Sequence, residues 1–284
     1  LIISAVINVA LDVVFIVVFG MGVEGCAYAT VIAQAISALL CFIYIVKKFP
    51  ILHLTKSDRK ISFQSFGRLL SLGIPWGFSF QLRRSERLSF RERLMYMVKR
   101  TWQVFSAAGK LQNMIMTVFV AFGATVATYV GQNRGAGRMD RVKSGVRCTQ
   151  VMILVWSVIA MAAVCFGGKY MTWLFIDPSE TEVVNVSVLY FRTVFWCYPF
   201  LGSIFLYRNT LQGMGYGLVP MLGGVFELAA RSAIVMAAAG RTTFQGVCLA
   251  DPAAWIAALI PLVPYYFYTM RKWKTTETKI QKQI

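Results

Sequence analysis

The stretch Asn8–Gln34, NVALDVVFIVVFGMGVEGCAYATVIAQ, holds two apolar runs separated by the break Gly20-Met21-Gly22-Val23-Glu24-Gly25. The runs extend beyond the quoted stretch, over 1–19 and 25–46, and a helix of roughly 20 residues crosses a hydrocarbon core about 30 Å thick. Within these runs lie Asn8, Asp12 and Thr30. A membrane carboxylate is costly unless it binds or shares something, so the pair reads as membrane helices carrying functional polar residues.

Further apolar runs follow at 67–82, 104–130, 148–168, 184–210, 218–239 and 247–270, about eight spans in all. With 284 residues, 57% hydrophobic, 14% charged and a mean hydropathy of +0.61, the chain has more apolar surface than soluble domains of that length could bury. A water-soluble globular protein is excluded. The expected class is all-α, a polytopic membrane helix bundle.

The net charge of +17 arises from 29 Lys and Arg against 12 Asp and Glu. Basic residues concentrate in Lys47–Arg68, Arg134–Arg147 and Arg271–Lys282, between or after spans. That is the distribution of cytoplasmic loops under the positive-inside rule, not of a nucleic-acid face. Alternation then places 47–66, 131–147 and a tail at 271–284 inside, and Asp177, Glu180 and Glu182 outside. The six cysteines lie in or near apolar spans without a CxxC and read as small core residues, with neither disulfide nor metal implied. The chain starts at Leu1 inside an apolar run, with no recognisable signal peptide, and reads as the C-terminal part of something longer.

Segment 83–103 departs from this pattern. It carries Arg83, Arg84, Arg87, Arg91, Arg93, Lys99 and Arg100 against Glu86 and Glu92, yet alternation puts it outside. The span before it is short and contains Gly73, Pro75 and Gly77, so it is expected to be bent or broken. Two readings remain: a basic amphipathic helix on the membrane surface, or out-of-phase translation between two compensating frameshifts.

A weak internal repeat points to the functional residues. Gly25-Cys26-Ala27-Tyr28-Ala29-Thr30 resembles Gly246-Val247-Cys248-Leu249-Ala250-Asp251, and each junction follows a span with a polar i, i+4 pair: Asn8 and Asp12, then Glu227 and Arg231. Residues i and i+4 share a helix face, so each pair is expected to point toward the polar residue of the next span. Glu227, Arg231 and Asp251, joined by Arg208, form a candidate buried charge network for substrate or protons. The alternative is a self-neutralising intrahelical pair that fixes packing. Asn8 can equally be helix-packing glue, and Thr30 can bond back to its own helix. Pro199, Pro220, Pro252, Pro261 and Pro264 imply bends. GQNRGAGR reads as a turn, lacking the GK[ST] of a phosphate loop. No Ser/His/Asp, Cys/His or paired-carboxylate arrangement supports an enzyme.

The stretches Asn8–Gln34, FSAAGKLQ (105–112), ATYVGQNRGAGRMDRVKSGVR (127–147), FLYRNTLQGMG (205–215) and GVCLADPAAWIAALIP (246–261) resemble the multidrug and toxin compound extrusion (MATE) family of cation-coupled efflux antiporters. The resemblance implies twelve helices in two six-helix lobes. On that map 1–46 supplies the last two helices of the N-terminal lobe, 47–66 a cytoplasmic inter-lobe linker, 67–270 the C-terminal lobe and 271–284 a cytoplasmic tail. It also implies that Asn8, Asp12 and Thr30 help bind a coupling ion, H⁺ or Na⁺, with no other cofactor. The implied function is export of amphipathic or cationic drugs or metabolites by alternating access, in the bacterial cytoplasmic membrane, by a monomer without nucleic-acid partners. Alternatives are a flippase for lipid-linked saccharides and an inactive transporter fragment.

Overall fold

The computed structural model describes residues 2–50, 53, 62–67, 69–75, 77–78, 101–173, 181–239 and 248–281, and every regular element among them is helical. They fall into two compact units, Leu1–Ser65 and Phe66–Ile284.

The first unit is a helical hairpin. Helix α1 (Ile2–Val13) passes into a π turn (Val14–Val18), and α2 (Gly22–Lys48) returns after Gly20, whose φ of 64° suits a residue without a Cβ. The two helices meet along Gly25, Ala29 and Ala33, one turn apart on α2 and all buried. A Cβ on Gly25 would stand 3.0 Å from that of Phe15, so the small stripe is what lets the backbones approach. Ser4 on α1 closes the contact by donating to the carbonyl of Ala33 at 3.4 Å.

The second unit contains α3 (Thr101–Gly135), α4 (Met139–Trp173), α5 (Thr181–Val194), α6 (Tyr198–Gly213), α7 (Leu218–Ala239) and α8 (Ala250–Gln281). Its core is drawn from α3 (Phe119, Val126), α4 (Ile153, Val164), α5 (Phe191), α6 (Tyr198, Leu206) and α8 (Ala258, Leu262). Gly213 lets α6 approach α3, because a Cβ there would lie 2.5 Å from the carbonyl oxygen of Ala127. Polar bonds also cross between helices: the Gln150 amide of α4 donates to Ser203 of α6 at 3.2 Å, and the Trp156 indole to the carbonyl of Ile115 at 3.3 Å.

Several elements differ from the sequence expectation. The basic segment 131–147 is largely helical, and the chain reverses only at Ala136–Arg138. Gly137, with φ of 71°, closes α3: the amide of Arg138 donates to the carbonyl of Asn133, and that of Gly137 to Arg134. Asp140 then occupies the first turn of α4, where its carboxylate accepts two hydrogen bonds from Arg138 at 3.3 Å. The span expected over 184–210 divides at a 3₁₀ turn (Phe195–Cys197), because Pro199, in the first turn of α6, has no amide hydrogen to continue the ladder. Within the expected tail, α8 continues through 271–281. None of the six cysteines is bonded to another, and only Cys248 is buried, while Cys26, Cys41, Cys148 and Cys165 are exposed. This corrects the expectation of six core residues: a small apolar thiol is tolerated as well against lipid as in a protein core.

Of the third expected span, 67, 69–75 and 77–78 are described and helical, and Gly217 packs on the backbone of Ser71 and Leu72. Residues 79–100 and half of the linker 47–66, at 51–52 and 54–61, lie outside the described residues.

Candidate functional site: two polar clusters within apolar helices

Helix α7 places Glu227 and Arg231 on one face, and the first turn of α8 supplies Asp251, where a carboxylate is favoured by the helix N-terminus. Arg231 bridges them, with a guanidinium nitrogen 3.6 Å from Glu227 Oε1 and 3.1 Å from Asp251 Oδ1. Arg208 of α6 meets the other oxygen of Glu227 at 3.0 Å. Two guanidinium groups and two carboxylates therefore alternate, with no net charge. The side chains of Arg208 and Glu227 are 5% and 10% exposed, while Asp251, at 21%, is the open end of the chain.

The network reaches two residues that the sequence pattern did not single out. The Tyr190 hydroxyl of α5 donates to Asp251 Oδ2 at 2.7 Å and lies 2.8 Å from the side-chain amide of Gln112 on α3. A phenol has one proton; with it directed at the carboxylate, Gln112 closes the second contact by presenting its NH₂, since a half-turn exchanges the amide oxygen and nitrogen. The available signal was a tyrosine within an apolar span, whose hydroxyl must find a partner when buried. Tyr198 is fully buried on α6 and its hydroxyl has no hydrogen-bond partner among the described residues. Trp255 and Tyr266, both buried, pack in the core rather than lining an open cage.

In the first unit, Asn8 donates from its side-chain amide to Thr30 Oγ1 at 3.3 Å. Thr30 in turn donates back to the carbonyl of Cys26 at 2.9 Å, so it does both things its sequence position allowed. Asp12 stands one turn beyond Asn8, immediately before the π turn, and its Oδ1 is buried without a hydrogen-bond partner among the described residues. The two units thus share a local plan: a polar pair one turn apart on one helix, directed at a polar residue near the start of the next.

What the arrangement can do chemically is exchange protons or oxygen-liganded cations inside apolar surroundings, and fix several helices by charge. Among the described residues, five helices are long and apolar enough to cross a membrane: Gly22–Lys48, Gly109–Gly135, Met139–Trp173, Ser187–Gly213 and Ala250–Trp273. Together these features define a polytopic helical membrane protein. Residues 103–235 match the MatE family model, beginning where the similarity was expected to resume after the basic segment. A probable multidrug resistance protein YoeA of Bacillus subtilis is 24% identical over 97% of this chain and 61% of its own length. A second protein of that organism, the probable multidrug resistance protein YpnP, is 26% identical over 75% of this chain and 47% of its own. The fold matches the outward-facing conformation of a multidrug resistance MATE family transporter of the MOP superfamily with a TM-score of 0.88, at 16% identity, over 96% of this chain and 62% of that one. The chain is thus similar to MATE family transporters, and it spans only part of the length of these relatives.

Proposed function

We propose that the whole protein exports amphipathic or cationic small molecules from a bacterial cell in exchange for H⁺ or Na⁺, by alternating access. The supporting observation is Asp12: a carboxylate oxygen in an apolar helix, buried and unpartnered among the described residues, beside an Asn8–Thr30 pair that offers further oxygens. Such a group favours a bound cation or proton, because the ionised carboxylate otherwise loses its hydration without compensation. Exchange follows when cation and drug bias the same two-state equilibrium in opposite directions. Asn8, Asp12 and Thr30 are the cation-binding residues of this reading, and no other cofactor is required.

The state of the arginines favours this over the flippase reading. A cavity for anionic lipid-linked sugars calls for cationic side chains directed at the ligand, whereas Arg208 and Arg231 are engaged with Glu227 and Asp251. In this reading the four-charge network shapes the substrate or proton pathway of the C-terminal lobe, Asp251 being its accessible member. The test is drug efflux from everted vesicles energised by a pH or Na⁺ gradient, with the complete protein and its Asp12→Asn variant. Efflux that survives collapse of both gradients rejects the antiport reading.

A further inference from the structure

The C-terminal end of α4 and the neighbouring part of α5 border an open recess of about 360 Å³ lined by Lys169 on α4 and by Asn185, Val188, Leu189 and Arg192 on α5. Two cations and one amide donor face it, and among the described residues no carboxylate lines it. The α5 residues share one face by their spacing.

The surroundings are apolar and open. Phe166 is 87% exposed, Tyr170 66% and Trp196 65%. The Lys169 ammonium stands 5.5 Å from the centre of the Trp173 ring, and Tyr170 and Trp173 pack edge to face at 5.2 Å. Tyrosine and tryptophan gathered at the end of a membrane helix mark the depth of lipid headgroups. Lysine and arginine near helix ends extend their charge to that same level while their stems stay in the acyl region. The recess therefore offers cations at headgroup depth, with apolar side chains beside them.

We propose that this recess binds the phosphate headgroup of an anionic phospholipid, with the acyl chains lying along the exposed faces of α4 and α5. Lys169 and Arg192 meet the phosphate, Arg192 as a planar fork suited to two of its oxygens. Asn185 donates to the phosphate or to the glycerol hydroxyl. Val188 and Leu189 contact the first methylenes. A free inorganic anion satisfies the cations but leaves the apolar half unused, which is why an amphiphile is the preferred occupant.

The test is lipid binding to the delipidated complete protein in detergent, counted by native mass spectrometry. Phosphatidylglycerol is compared with phosphatidylcholine, and inorganic phosphate serves as competitor. Two cations near an anionic headgroup should give on the order of tenfold preference for phosphatidylglycerol. The K169Q/R192Q double variant should lose that preference; K169R/R192K and the distant R271Q/K272Q should keep it. Equal preference in wild type and K169Q/R192Q overturns the proposal and indicates that these side chains serve the protein's own acids. Displacement of the lipid by millimolar inorganic phosphate also overturns it, by identifying a site for a free anion. Folding of each variant is checked by its thermal unfolding midpoint, and K169R/R192K keeps the comparison informative if K169Q/R192Q does not fold.

Discussion

Tyr190 on α5 donates a 2.7 Å hydrogen bond to Asp251 at the start of α8, across 61 residues of sequence. Through that carboxylate it is connected to Arg231, Glu227 and Arg208, so five helices share one polar chain that runs from Gln112 to Arg208. Asp251 is held from two sides, by a cation and by a phenol. It is a group whose release from either partner changes the contacts between helices.

Removing a single charge from that chain should cost more than removing the hydrogen bond at its end. Glu227→Gln leaves Arg208 and Arg231 buried without the carboxylate between them, an imbalance of about 3–5 kcal/mol. Tyr190→Phe removes the contact with Gln112 and one bond to a charged acceptor, the latter about 1.5–3 kcal/mol. Thermal unfolding in detergent should therefore rank wild type above Tyr190→Phe above Glu227→Gln; equal midpoints for the two variants contradict the chain as described.

Asp12→Asn in the complete protein should abolish cation-coupled efflux while membrane insertion and expression persist. The change is nearly isosteric and removes only the charge, at a position where the described residues offer Oδ1 no partner. Unchanged drug efflux with unchanged cation dependence removes Asp12 from the mechanism.

Gly213→Ala should loosen the contact between α3 and α6. The new methyl meets the Ala127 carbonyl oxygen at 2.5 Å and the Ala127 Cα at 3.1 Å, both backbone atoms that no rotamer change can move. Overpacking of this kind costs typically about 1–3 kcal/mol. Gly137→Ala, at an exposed turn with φ of 71° and open space around the site, should cost only the backbone term of roughly 1 kcal/mol. The order of the two unfolding midpoints checks the assignment.

Reporter fusions in the Ala136–Arg138 turn and after Trp273 should both report the cytoplasm, following the basic residues that flank each site. An outside signal from either one reverses the expected topology.

For residues 83–103, resequencing the gene and translating the interval in its other two phases should give an apolar stretch if the frame is broken there. A confirmed frame, with the same basic run in related sequences, makes it a surface helix instead.

The sequence by itself determined the membrane-spanning class, the family resemblance, and the local polar pairs Asn8 with Asp12 and Glu227 with Arg231. Hydropathy and i, i+4 spacing are properties of neighbouring residues, so no tertiary information is needed to read them. It also directed each pair toward the next helix, where Thr30 and Asp251 are found. The partnership of Arg208 with Glu227 was legible only as a candidate, and those of Tyr190 with Asp251 and with Gln112 not at all, because they join residues 19, 61 and 78 apart in the chain: Arg208 to Glu227, Tyr190 to Asp251, and Gln112 to Tyr190. The same holds for the exposed cysteines and for the recess between Lys169 and Arg192. In a membrane the lipid-facing and protein-facing sides of a helix are both apolar, so the pattern of residues that reveals the buried face of a soluble helix is weak. Which residues meet was decided by close approach at Gly25 and Gly213 and by the pairing of buried charges, and these exist only once the helices have packed.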